Sequence, residues 1–241
     1  VCAVDTVLND TCIADGSFQT EDAGDIVEIV INEIFNNAVD SDDNREWFEV
    51  YNAEENPVDM DGWTIRDDDN DSHVIAGSLI VPAQGFAVLC QNGDTQLNGG
   101  NDCDYVYGNG ITLSNSADEI VLIDSDGQII DQVNYDGGPA FPDVPGISLS
   151  LVNPFLDNSV GENWEESPYQ WAGEEGGYGT PGTINFIFGD TDFDMGVTEE
   201  DVVPILDNIL LEEDYDIFLD LNLDTAVDIL DIILLIDLLN Q

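Results

Sequence analysis

The sequence predicts a mainly β protein with a small all-α unit at its C-terminus. Short β-branched and aromatic segments separated by turn signals fill most of the chain. After Phe188 the texture changes, and apolar residues recur at helical spacing. Two acidic stretches of one design punctuate this second part.

The β segments come first. Ile26-Val-Glu-Ile-Val-Ile-Asn-Glu-Ile34, Trp47-Phe-Glu-Val-Tyr51, Phe86-Ala-Val-Leu-Cys90, Glu119-Ile-Val-Leu-Ile123 and Gln128-Ile-Ile-Asp-Gln-Val133 read as strands. Asn56-Pro57, Asp61-Gly62, Asn92-Gly93, Asp126-Gly127 and Gly137-Gly138-Pro139 read as turns between them. Asp124-Ser-Asp-Gly127, set between two apolar runs, predicts a hairpin. Many short strands without an intervening helix argue for a β-sandwich or barrel.

The helical part repeats one unit twice. Asp190-Thr-Asp192-Phe-Asp194-Met-Gly-Val197-Thr198-Glu-Glu-Asp201 precedes the apolar positions Val202, Val203, Ile205, Leu206, Ile209 and Leu210. Asp220-Leu-Asn222-Leu-Asp224-Thr-Ala-Val227-Asp228-Ile-Leu-Asp231 precedes Ile229, Ile232, Ile233, Leu235, Ile236 and Leu239. Both stretches carry oxygen-bearing side chains at positions 1, 3, 5, 9 and 12, with valine at position 8. Hard cations such as Ca²⁺ take several oxygen ligands at once, and a twelve-residue loop with this spacing wraps one ion. One such loop could be chance in an acidic chain; two with matching valines and ends read as a paired calcium site. Its candidate ligands are Asp190, Asp192, Asp194, Thr198 and Asp201 for one ion, and Asp220, Asn222, Asp224, Asp228 and Asp231 for the other.

Composition restricts the function. With 43% hydrophobic residues over 241 positions, the chain can bury a substantial core. The 53 acids against Arg45 and Arg66 give a formal charge of −51. Self-repulsion of that size opposes compaction unless salt screens it or cations neutralise it. Nucleic acid and anionic membranes, which need basic patches, are poor partners. Calcium-rich, saline surroundings fit; the simpler alternative is that the charge only maintains solubility in brine. No apolar run is long enough to span a bilayer, and 227–239 is interrupted by Asp228, Asp231 and Asp237.

Cys2, Cys12, Cys90 and Cys103 fall into two close pairs without a C-x-x-C motif, and His73 is the only histidine, so a zinc site has little support. Disulfides Cys2–Cys12 and Cys90–Cys103 are the simplest of three possible connectivities. They imply an oxidising compartment, hence a secreted or cell-surface protein. The start at Val-Cys-Ala-Val reads as a mature end after cleavage of a leader. Catalysis finds no foothold: there is no lysine, no nucleophile motif beside His73, and no carboxylate pair that stands out among 53. Asp67-Asp-Asp-Asn-Asp71 reads as a solvated acidic loop more readily than as a third cation site. Trp47, Trp63, Trp164 and Trp171 could line a sugar-binding face, but core packing suits the first three better.

Ile31-Asn-Glu-Ile34, Glu46-Trp-Phe-Glu-Val-Tyr-Asn52, Gly62-Trp-Thr-Ile65, Leu113-Ser-Asn-Ser-Ala-Asp-Glu119, Asn163-Trp164 and Gly179-Thr-Pro-Gly182 together resemble the lamin-tail domain of secreted bacterial proteins, over about residues 26–185. The resemblance implies an immunoglobulin-like β-sandwich used as a binding or structural module. Cys90 and Cys103 flank an Asn92–Asn101 loop, consistent with a disulfide across an extended hairpin. The C-terminal part, about residues 187–241, is similar to a type I dockerin module, whose paired F-hand loops bind calcium. It departs from that pattern at position 6, where Met195 and Thr225 replace glycine and should strain or reshape the loops. Pro204, a turn into the first helix, should bend it.

The expected organisation is therefore a stapled extension at 1–24, a sandwich at 25–186 and a calcium-binding helical domain at 187–241. The expected function is a secreted, non-catalytic structural or adhesive protein holding two Ca²⁺ ions. Its partners are other copies of itself, assembling into a fibre, layer or matrix, or a cohesin-like scaffold protein. The helix at 229–239, apolar around much of its circumference, needs such a partner or the sandwich itself to cover it.

Overall fold

The computed structural model describes residues 28–39, 41–67, 70–171, 177–211, 215–222 and 224–240. The 1–24 extension with its Cys2–Cys12 pair, and Asp68 and Asp69 of the acidic run, lie outside the described residues. In chain order the strands are β1 (Ile29–Phe35), β2 (Trp47–Asn52), β3 (Val58–Asp59), β4 (Thr64–Arg66), β5 (Ser72–Val74), β6 (Ile80–Val81), β7 (Phe86–Cys90) and β8 (Tyr105–Val106). They continue as β9 (Ala117–Ile123), β10 (Ile129–Asp136), β11 (Leu149–Leu151) and β12 (Trp164–Glu166), followed by helices α1 (Val202–Leu211) and α2 (Ile229–Leu239).

The long apolar segments become the long strands, and β1, β2 and β7, with apolar residues on successive positions, are almost wholly buried. A six-stranded sheet runs β12-β11-β1-β2-β7-β8, a four-stranded sheet runs β10-β9-β4-β5, and β3 pairs with β6. Ile31, Ile34, Phe48, Val50 and Leu89 of the first sheet meet Ile65, Ile120, Leu122 and Val133 of the second in one buried cluster. This is the sandwich the strand pattern predicts. Asp124 accepts from the backbone N–H groups of Asp126 and Gln128, at 2.9 and 2.8 Å, and closes the predicted β9–β10 turn.

One expectation needs correction. Cys90 and Cys103 are bonded, but β8 runs parallel to β7, with Leu89 opposite Tyr105, so the disulfide does not cross a hairpin. The intervening loop folds back through successive turns before β8 begins, because Asn98 ties it together by donating to the carbonyls of Asn92 and Asn101 at 2.8 Å. Trp171 is half-buried. It packs edge-on against Phe35 and Trp47, with ring centres 4.9 and 5.7 Å away, and donates Nε1–H to the Gly99 carbonyl at 3.0 Å. Trp47, Trp63 and Trp164 are buried.

β2 is buried on both faces, which a solvated sandwich strand would not be. Its outward Glu49 faces Glu33 of β1 across the ladder. A register shift between Ile31 and Glu33 re-aims the side chains there, as bulges do. The returning chain at 177–186 covers the pair. Glu33 Oε1 accepts from the Thr180 N–H at 2.8 Å and the Ser148 hydroxyl at 2.5 Å, and Oε2 from the Thr180 hydroxyl at 3.1 Å. Glu49 accepts from the Gly182 N–H and, at 3.0 Å, from the Asn32 amide. Three motif stretches far apart in sequence thus meet in one buried carboxylate network, which fixes the segment leading into the helical part.

Burial raises the Glu33 carboxyl to about 7 against these hydrogen bonds, and burial together with Glu33 holds Glu49 well above its ordinary value. Because the folded protein binds the Glu33 proton more tightly than the unfolded chain does, its stabilising contribution is complete below pH 4.5 and is lost as pH rises through about 7. Glu33→Gln, which cannot ionise, removes that loss. Urea unfolding followed by tryptophan fluorescence is expected to show wild type losing on the order of 2 kcal/mol more than the variant between pH 5 and pH 8. Equal losses would contradict this account of the network.

Candidate metal centre

Each acidic stretch begins helix formation for a local reason. Thr198 and Asp228, at position 9, are the N-caps, and their side chains accept from the N–H groups of Glu200 and Leu230 at 3.1 and 2.7 Å. Asp201 and Asp231, at position 12, reach back to the cap N–H at 2.7 and 2.8 Å, completing a capping box in both units. Acids in the first turn also suit the positive end of the helix. A 3₁₀ turn at Glu199–Asp201 leads into α1, so Pro204 stands in the first turn of the α-helix, where a missing donor is best tolerated.

The two loops share one set of main-chain bonds to the side chains at positions 1, 3 and 12, to which the first adds bonds from Thr191 to Asp201. At position 1, Asp190 Oδ1 accepts from the N–H of Asp194 at 3.1 Å and Oδ2 from that of Met195 at 3.0 Å; Asp220 accepts likewise from Asp224 at 3.1 Å and Thr225 at 2.8 Å. At position 3, Asp192 and Asn222 accept from the same position-5 N–H groups, at 3.2 and 2.9 Å. At position 12, Asp201 and Asp231 accept from the position-3 N–H groups, at 3.2 and 3.1 Å. Each loop is thereby wound around its own carboxylates.

In the first loop this brings carboxylate oxygens of Asp190, Asp192 and Asp194 within 4.8 Å of one another, a spacing that oxygen ligands of one ion require. Asp201 is not in that group; it closes the loop through backbone bonds. In the second loop Asn222 replaces one acid, and Asp220, Asn222 and Asp224 share the same hydrogen-bond scaffold. Like charges crowd the first loop: the Asp192 carboxyl is pushed up by loss of solvent and then by Asp194, Asp201 and Asp190.

Met195 and Thr225 adopt φ of 71° and 70°. The loops keep the turn that glycine would make, so the departure at position 6 appears as strain rather than a new loop shape. Gly189, at φ 94°, enters the first loop where a Cβ would lie 3.2 Å from Leu238 and 3.3 Å from Val197. The position-8 valines, Val197 and Val227, pack against the Ile205, Leu219, Leu221, Ile232 and Leu235 cluster that joins the helices.

Two tyrosines that the sequence does not announce complete the arrangement. Tyr169, following β12, donates its hydroxyl to Asp190 at 2.8 Å, and Tyr215 donates to Asp220 at 3.0 Å. Burial, then the aspartate, raises the Tyr169 hydroxyl, and the same causes lift Tyr215 to about 12, so both remain donors. They stand at different offsets from their loops, 21 and 5 residues, so no repeat reveals them. His73 lies on β5 with Nε2 2.7 Å from the Tyr105 hydroxyl, remote in role from the loops.

Residues 23–137 match the family model of the Lamin Tail Domain, so this part of the chain carries an immunoglobulin-like lamin tail domain. The match stops short of the 26–185 span, although β11, β12 and the 177–186 segment complete the same sheet and its cover. Comparison with curated proteins gives no match.

Replacing Met195 or Thr225 by glycine relieves a left-handed residue at the expense of chain entropy. Each variant is expected to stabilise the helical part by about 1 kcal/mol, read from thermal loss of helical circular dichroism. Destabilisation would show that these side chains are not strained.

Proposed function

We propose that this is a secreted, non-catalytic calcium-binding protein of structural or adhesive type. Its two dockerin-like loop–helix units each take one ion. The observation that carries the reading is the shared set of main-chain bonds in the two loops around Asp190 and Asp220. In the first unit, Asp190, Asp192 and Asp194 are the inner ligands, and Thr198 and Asp201 stand at the closing positions. In the second, Asp220, Asn222 and Asp224 are inner, and Asp228 and Asp231 close. Ions there would neutralise carboxylates that otherwise repel, which couples binding to order in the helices. The Cys90–Cys103 disulfide supports export to an oxidising space.

The same ions make an apolar surface available. Leu206 and Leu210 of α1, and Ile229, Ile233 and Ile236 of α2, are each 40% exposed or more. Neither the helix pair nor the sandwich covers them, and exposed apolar area of this kind marks an interaction surface. We assign it to calcium-dependent assembly of copies of this chain, since cations also offset the repulsion between subunits of charge −51. The exposed face equally suits docking onto a cohesin-like protein, and a pull-down that recovers one in preference to self-assembly would select that reading.

Circular dichroism of the full chain in chelator and in millimolar calcium is expected to show added helix with calcium. Light scattering is expected to show growth of assemblies over the same range. Unchanged helix content would overturn the calcium reading, and a strict monomer at high calcium would overturn assembly.

A further inference from the structure

A cavity of about 300 Å³ lies where the sandwich meets the helical part. Tyr51, Phe86 and Phe155 line it from the sandwich side, and Phe186, Phe193 and Phe218 from the connecting segment and the loops. Phe155 is 72% exposed, so that wall reaches the surface. An apolar cavity half this size takes up benzene, so one or two rings fit here. Aromatic walls favour a ring, which meets them edge-on or stacked.

The polar lining narrows the ligand further. Asp190 and Asp220 contribute to the wall, and no lysine, arginine or histidine does. An anion is therefore excluded. Asn32 also lines the cavity, and its amide Nδ2 donates to Glu49 at 3.0 Å while its buried Oδ1 has no hydrogen-bond partner among the described residues. A buried acceptor without a partner is unfavourable, and a ligand hydroxyl would relieve it.

We propose that this cavity binds a small uncharged aromatic molecule bearing a hydroxyl group, with the ring among the phenylalanines and the hydroxyl donating to Asn32. The proposal rests on the calcium reading only in that Phe193, Phe218 and the two aspartates belong to the loop units, which must be ordered to form half of the wall.

The test is isothermal titration of the full chain in millimolar calcium with p-cresol, toluene and p-toluenesulfonate, with circular dichroism on the same samples. p-Cresol is expected to bind one per chain, toluene at least fivefold more weakly, and p-toluenesulfonate not at all. Phe155→Ala, at an exposed position, is expected to weaken p-cresol at least threefold, and Val152→Trp, which fills the cavity from its wall, to abolish binding. With helices present, absence of p-cresol binding overturns the cavity proposal and leaves the calcium reading standing. So does equal binding of the sulfonate, or unchanged binding in Val152→Trp. If the helices are absent in calcium, the calcium reading fails instead, and the cavity with it.

Discussion

Most carboxylates in this protein must find partners other than cationic side chains. Fifty-three acids share two arginines and no lysine, so ion pairing can serve very few of them. The described acids turn to backbone N–H groups and hydroxyls instead. Asp201 and Asp231 are fully buried, and Asp190 and Asp220 nearly so, each held by two or more main-chain donors. Such bonds to an ionised acceptor are strong, and a carboxylate so held bends its own loop around itself. The acid content thereby shapes the chain locally while leaving its charge uncompensated.

The same constraint joins the two parts of the molecule. Glu33 and Glu49 grip the 177–186 segment through Thr180 and Gly182, and that segment delivers Gly189 and Asp190 to the first loop. Tyr169 then ties Asp190 to the end of the sandwich. Aromatic contacts run on from there: Tyr169 meets Phe193, Phe193 meets Phe218 at 5.3 Å between ring centres, and Phe218 meets Phe186 at 4.6 Å. The first loop is thus anchored to the sandwich, and the second joins it through the shared core of Ile205, Leu219, Leu221, Ile232 and Leu235.

Much of this is legible in the residues, and the reasons differ by element. Long strands such as β2 and β9 show themselves because runs of aromatic and β-branched residues between turn signals are local properties. The loops show themselves because their duplicated spacing reports a duplicated hydrogen-bond pattern. The two-residue strands β3, β6 and β8 are too short for any period, and the parallel course of β8 depends on how Asn98 organises its loop. The Glu33–Glu49 pair depends on strand register and a bulge, and Tyr169 on tertiary packing. At position 6, spacing alone marks a departure from glycine; only the backbone shows that Met195 and Thr225 keep the turn.

On the proposed reading the two loops are equivalent cation scaffolds, each acting through its own position-1 aspartate. Equilibrium dialysis against radioactive calcium at high salt, where diffuse binding to the acidic surface is screened, measures this most directly. Two tightly held ions per chain are expected, falling to one in Asp220→Asn and to one in Asp190→Asn. A wild-type count of zero, or a count unmoved by both substitutions, would contradict that reading.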